Sequence, residues 1–159
     1  MSSFVKIVRA GEEHVPAIVD LWKRLSDYQT AFDLVHRLRD DAGIGFQRYV
    51  RSKLLSEEDL FLVAVIGDSV VGFSMSAVSK GRPDVYERAS FVEISDMFVL
   101  EEYRRRGIAT QMLNHVRRWV ESKGIRRIEL HVEARNSIGL AFWKKQGFKD
   151  YIYRLHLNC

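Results

Sequence analysis

Two hydrophobic rhythms alternate along the chain. Residues 4–8 alternate as a short strand does. Val15, Ile18, Val19, Trp22 and Leu25 then recur at i, i+3, i+4, i+7 and i+10, one face of a helix. Pro16 falls in the first turn of that helix, where a missing N–H costs little. Residues 31–56 read as one or two further helical pieces, broken near Gly43-Ile44-Gly45. The run 60–66 is continuously apolar, as in a buried strand. Gly67-Asp68-Ser69 is a turn and 70–78 a second strand, so the two predict a hairpin. A polar loop with Pro83 spans 80–89, and 91–99 reads as a strand. The next helix carries Ile108, Met112, Leu113, Val116, Trp119 and Val120 on one face and ends near Lys123, with Gly124 as its C-cap. Ile128, Leu130 and Val132 alternate with Glu129 and His131 in another strand. Asn136 is an N-cap for a helix that runs to Gly147, and 148–157 is a final strand. The order β α α β β β α β α β is α+β, mostly antiparallel at first, with a βαβ unit in the second half.

Composition changes this picture little. With two prolines, no linker and no repeat, the 159 residues form one domain, 1–159. Cys159 stands alone and the five histidines show no i, i+4 pair, so neither a disulfide framework nor a metal site is expected. The start, MSSFVKIVRAGEEH, has no apolar run long enough for a signal peptide, and no stretch reaches the length of a membrane span. A cytoplasmic protein without membrane contact is expected. The net charge of +4 favours an anionic ligand, and nucleic acid, a membrane surface and a phosphorylated cofactor all carry that charge.

The chemistry concentrates at EEYRRRGIATQM, residues 101–112, where a strand ends and a helix begins. The first turn of a helix has unpaired N–H groups and a partial positive charge, and it holds phosphate well. Arg104, Arg105 and Arg106 add cations to that site. Gly107 lets backbone approach a ligand, Ala109 keeps the next position small and Thr110 offers a hydroxyl. The bland reading is a solvated basic helix start, its arginines paired to Glu101, Glu102 or Glu121. Neither GxGxxG nor GxxxxGK(S/T) is present.

Arg104-x-x-Gly107-x-Ala109 resembles the Q/R-x-x-G-x-G/A motif of the GCN5-related N-acetyltransferases (GNAT superfamily). Residues 94–99, ISDMFV, resemble the family's fourth strand. Residues 136–148, NSIGLAFWKKQGF, resemble its second motif, N-x-x-A-x-x-x-Y-x-x-x-G-F, with Gly139 in the usual Ala position and Trp143 in the usual Tyr position. The resemblance implies the GNAT fold, a mixed, mostly antiparallel sheet of about six to seven strands flanked by about four helices. It implies acetyl-CoA as co-substrate and a primary amine as acceptor, with direct attack in a ternary complex. Backbone of Met97, Phe98 and Val99 would pair with the pantetheine arm. Arg104, Arg105, Arg106, Gly107, Ala109 and Thr110 would surround the pyrophosphate. Asn136, Phe142 and Lys145 would contact the far side of the cofactor. Many relatives are dimers, which implies a possible homodimer.

An amine attacks only when neutral, and a lysine-like amine titrates near 10.4, so at pH 7 about one molecule in a few thousand is ready. A carboxylate must take the proton. Glu93 and Asp96 are those of the strand before the loop, and alternation sets them on opposite faces unless a bulge intervenes. Glu93 is the expected base and Asp96 the helper. The N–H of Phe98 or Val99 is the expected oxyanion donor. Trp143 cannot supply the acid that the family's Tyr supplies; Tyr151 and Tyr153, close in sequence, are the substitutes, against which stands ordinary final-strand packing, the favoured reading. The acceptor is expected to be a small amine received by some of Asp27, Asp33, Asp40, Asp41, Glu87 and Asp96. A protein or peptide amine and a non-catalytic acyl-CoA-binding role are the alternatives. No helix-turn-helix or RNA motif supports a nucleic-acid partner.

Overall fold

The computed structural model describes residues 4–159. Five strands and four helices follow in the order β1 (Val5–Arg9), α1 (Val15–Thr30), α2 (Ala42–Lys53), β2 (Asp59–Ile66), β3 (Ser69–Ser79), β4 (Phe91–Val99), α3 (Ile108–Ser122), β5 (Ile128–Leu130) and α4 (Ser137–Lys145). The sheet keeps chain order from β1 to β5; all neighbours are antiparallel except β4 and β5, which α3 joins as a parallel crossover. The β2–β3 hairpin turns at Gly67, whose φ of +59° suits a residue without Cβ.

Each face of the sheet buries a helix layer. On one, Val15, Ile18, Leu21 and Leu25 of α1 and Val50 of α2 pack on Phe61, Val63, Phe73, Met75 and Phe98. On the other, Leu113, Val116 and Val120 of α3 pack on Leu60, Leu62, Val92 and Ile94. The apolar stripes read in α1 and α3 face these cores, with Val19, Trp22 and Trp119 only partly buried and Leu21, outside the stripe read for α1, buried as well.

Three expectations are corrected. The glycines do not break α2; the helix runs through Gly43 and Gly45, which occupy its first turn. There a glycine serves close approach: a Cβ on Gly43 would sit 2.8 Å from Lys23 Cε of α1. The same contact brings Trp22 and Phe46 into a stack at 3.8 Å. Secondly, residues 148–157 form no strand, so the sheet has five strands rather than six to seven. β5 is three residues long and offers too short an edge to hold another strand. Tyr153, Leu155 and Leu157 are 81%, 90% and 85% exposed. The third correction concerns β4. Met75 faces Asp96 and Ser76 faces Ile94, so Ser95 is an extra, bulged residue. Glu93 faces Ala77 and Asp96 faces Met75, two positions on one side of β3. The bulge therefore brings Glu93 and Asp96 to the same face, the one covered by α1 and α2, where strict alternation would separate them.

Candidate active site

The site begins where β4 parts from β5. The two strands pair only at Val92–Ile128, Glu93–Glu129 and Ile94–Leu130. Beyond Ile94 the outer edge of β4 has no neighbour in the ladder. Leu100 N–H donates to Val71 O at 2.9 Å, which turns Leu100 into β3. Antiparallel alternation then turns Phe98 into β3 and Met97 and Val99 outward, into the opening. Val99 O is indeed outside the ladder, since it accepts from Arg104 Nε at 2.9 Å. Of the two expected oxyanion donors, only the Val99 N–H faces the opening; that of Phe98 belongs to the ladder.

The loop that follows is bent by two left-handed residues. Gly107 has φ +76°, and Arg105, at φ +59°, is the one non-glycine residue with positive φ among those described. A residue with a Cβ held there costs about 1–2 kcal/mol. Gly107 is the N-cap of α3 and contributes no side-chain cap. The helix closes with Gln111 N–H to Gly107 O at 3.0 Å, leaving the first-turn N–H groups, including those of Ala109 and Thr110, open at the helix mouth. A Cβ on Gly107 would meet nothing within 4 Å, so the space above it is open.

The arginines are not neutralised by the nearby acids: among the described residues none of the three forms an ion pair with Glu101, Glu102 or Glu121. Arg104 lies 5.4 Å from the Phe98 ring and 5.6 Å from the Tyr28 ring. Arg106 donates to Glu102 O at 3.1 Å and covers Tyr103. Arg105 is exposed. Thr110 Oγ1 accepts from Gln146 Nε2 at 3.2 Å, tying the mouth of α3 to the end of α4.

Across the opening stands α4. Asn136 caps it, its Oδ1 accepting from Gly139 N–H at 3.0 Å and from the Tyr28 hydroxyl at 3.3 Å. A Cβ at position 139 would sit 2.5 Å from Asn136 Nδ2, so glycine leaves room for this cap where alanine would push it aside. Trp143 is packed on the α3-side core, edge-on to Phe142 (4.9 Å) and Phe148 (5.3 Å). Arg127 lies over the Tyr151 ring at 4.3 Å, and the Tyr153 hydroxyl donates to Asp150 Oδ2 at 3.3 Å. Phe142 is half-buried and Lys145 exposed.

The two carboxylates differ in surroundings. Burial pushes the Asp96 carboxyl above the usual carboxylate range; the Ser95 hydroxyl opposes this only in part, because its proton also serves Met75 O at 3.3 Å. A raised folded value means that the folded chain holds this proton more tightly than the unfolded one. Stability is then lost as pH rises from the unfolded to the folded value, and the penalty is complete above it. Asp96→Asn is therefore expected to raise Tm at pH 7, by about 2–4 °C for each kcal/mol relieved, with the gain fading towards pH 3. Equal gains at both pH values would remove charge burial as the cause. Glu93 is more open, and its Oε1 lies 3.2 Å from His131 Nδ1.

Tyr28 and His131 belong to this site although they do not appear among the residues read from sequence as functional. Tyr28 continues the α1 stripe three residues beyond Leu25, so its polar tip was the available signal. His131 shares a face with Glu129, but only the pairing of β5 with β4 brings that face to Glu93.

No helix among the described residues is long and apolar enough to cross a membrane. The sequence matches the model of the Acetyltransferase (GNAT) family over residues 19–148. It is 33% identical over 93 residues to an N-alpha-acetyltransferase of Saccharolobus solfataricus, covering 56% of each chain. It is 27% identical over 111 residues to a spermidine N(1)-acetyltransferase of Thermoplasma acidophilum, covering 65% of this chain and 63% of that one. The chain thus spans little more than half the length of these curated relatives. In solved structures it resembles the aminoglycoside N-acetyltransferase AAC(6')-Iy in complex with CoA, with a TM-score of 0.79 at 20% identity over 100% of this chain and 97% of that one. The parted β4 and β5, the uncapped mouth of α3 and the family match over 19–148 agree: this chain belongs to the acetyltransferase (GNAT) family.

Proposed function

We propose that the chain transfers the acetyl group of acetyl-CoA to a primary amine by direct attack in a ternary complex. The observation that carries this reading is the opening between β4 and β5, which ends on the uncapped, positively flanked mouth of α3. The outward backbone groups of Met97 and Val99 suit an amide-bearing arm laid along β4 as an added strand. The open N–H groups at Ala109 and Thr110, the bare Gly107 and the three arginines suit a pyrophosphate. Asn136 and Phe142 line the α4 side, with Lys145 farther along the helix. Glu93 takes the proton of the ammonium, assisted by Asp96 on the same face, and the neutral amine then attacks. The Val99 N–H meets the oxyanion that forms at the acetyl carbonyl. With Trp143 in the core, the thiol leaves without a tyrosine acid; an ordinary thiol titrates near 8.5, a tolerable leaving group.

The acceptor in this reading is a small amine. The names of two similar proteins support it, the spermidine N(1)-acetyltransferase and the aminoglycoside enzyme. The similarity to an N-alpha-acetyltransferase supports a peptide amine as second reading. A cytoplasmic place is compatible with the acetyl-CoA of this reading, and the exposed Ile152, Leu155 and Leu157 support a homodimer.

Thiol release from acetyl-CoA, measured over spermidine, neamine and a set of free N-terminal peptides, tests this directly. Release with spermidine or neamine at least about tenfold faster than with any peptide is the expected result. The reverse order establishes the second reading. Acetyl-CoA binding by calorimetry with no release from any amine leaves only a binding protein and ends the enzyme reading.

A further inference from the structure

Acetylation of an ammonium group liberates a proton at every turnover: R–NH3+ and acetyl-CoA become the amide, the CoA thiol and H+. A base that keeps this proton is spent after one cycle. We propose that His131 is the outlet, a positioning residue that acts through Glu93 and carries its proton to water. The inference rests on Glu93 being the base.

The geometry is specific to this point in the sheet. Leu130 is the last residue of β5 that pairs with β4, so His131 is the first residue past the ladder, at the mouth of the opening. Glu93 stands beside Glu129 in the parallel register, and alternation returns His131 to the Glu129 side. His131 Nδ1 then lies 3.2 Å from Glu93 Oε1. The Glu93 side chain is 39% exposed and that of His131 is 78% exposed, so the pair forms an inner and an outer end.

The other charged groups on this side have partners or are enclosed. Glu129 is held by Arg127, and Glu133 by His36 and Arg135. Asp96 is half-buried on this face, and desolvation pushes its carboxyl up. Glu93 is thus the carboxylate of this face that lies within 3.2 Å of an exposed imidazole nitrogen. Histidine is the side chain suited to take up and release protons near neutral pH. The balance closes in three steps. The ammonium gives its proton to the Glu93 carboxylate, directly or through one water. Glu93 passes it to the lone pair of His131 Nδ1, forming imidazolium. Nε2–H then yields a proton to solvent, Glu93 is again a carboxylate, and the neutral ring regains its Nε2–H tautomer by exchange with water.

The test compares His131→Ala, His131→Gln and Glu93→Gln in the full chain, reading kcat and KM for acetyl-CoA from pH 6 to 9 with the fastest amine of the panel above. A glutamine amide donates a hydrogen bond to Glu93 but cannot carry a proton. The expected result is a fall in kcat of about a hundredfold in both His131 variants, the lower end of proton-transfer effects, with KM for acetyl-CoA unchanged. Added imidazole buffer should restore His131→Ala in proportion to its concentration and leave Glu93→Gln unmoved. His131→Gln at the wild-type rate reduces His131 to a hydrogen-bond prop and overturns the relay. Both His131 variants within twofold of wild type, with Glu93→Gln slow, overturn the relay and leave Glu93 as base. Glu93→Gln at the wild-type rate removes the base itself, a separate failure. Exposed as it is, His131 can be replaced without touching the core, and circular dichroism checks that each variant is folded.

Discussion

Glu93→Gln is expected to lower kcat by about 10²–10⁴-fold at pH 7, the usual range for loss of a general base. Glutamine keeps the size of the side chain and can still bond His131, but it accepts no proton. The enzyme then depends on the neutral amine present in solution. With an amine pKa near 10.4 that fraction rises about tenfold for each pH unit below it. The deficit should therefore shrink steadily from pH 7 to pH 9. A variant whose rate falls by the same factor at every pH has lost geometry and not a base. Asp96 provides the internal comparison, because the bulge at Ser95 sets both carboxylates on one face. Burial raises the proton affinity of the Asp96 carboxylate but leaves less of it ionised, while the openness of Glu93 suits a base that a substrate reaches. A larger fall in Asp96→Asn than in Glu93→Gln transfers the role to Asp96.

That comparison turns on a feature the amino-acid sequence does not announce. A bulge is a property of pairing: β3 supplies one residue, Met75 or Ser76, against a β4 segment with one too many. Nothing in the run FVEISDMFV marks Ser95 as the extra residue. The α1 and α3 stripes were legible because a helix buries residues a few positions apart, and that period is written locally. The loop, the glycine and the uncapped helix mouth proposed for the phosphates were legible for the same reason, being contiguous in residues 101–112. What spans elements was not. Tyr28 reaches Asn136 over 108 positions of chain, and His131 meets Glu93 only through the register of β5. The tail shows the converse. Residues 148–157 have the alternation of a strand, but β5 ends at Leu130 and provides no edge of useful length. In α2 the glycines predict a break, because glycine disfavours a helix interior. Packing against Lys23 and the Trp22–Phe46 stack outweighs that cost.

Gly107→Ala separates what the fold requires from what the ligand requires. Four other glycines also have positive φ, and Gly124 and Gly147 are the useful controls: each follows a helix, at φ +69° and +95°, and a Cβ on either would meet nothing within 4 Å. Gly107 shares both properties with them. Replacing any of the three by alanine should therefore cost similar stability, about 1–2 kcal/mol for a Cβ in the left-handed region. In a chain of this size each kcal/mol lowers Tm by about 2–4 °C. Affinity should divide them. Only at Gly107 does the empty space lie at an uncapped helix mouth flanked by three arginines. A methyl group there stands between the pyrophosphate and the N–H groups meant to hold it. Hydrogen bonds to a charged partner contribute about 1.5–3 kcal/mol each, so losing one or two weakens CoA binding by about 10–100-fold or more. Calorimetric titration with CoA reads this without any acceptor amine, and so independently of the carboxylates. Acetyl-pantetheine, which lacks the pyrophosphate, should bind wild type and Gly107→Ala alike if, as proposed, its arm lies along Met97 and Val99. If Gly124→Ala and Gly147→Ala weaken CoA as much as Gly107→Ala does, the loss comes from a loosened fold, and the helix mouth is not where the phosphates sit.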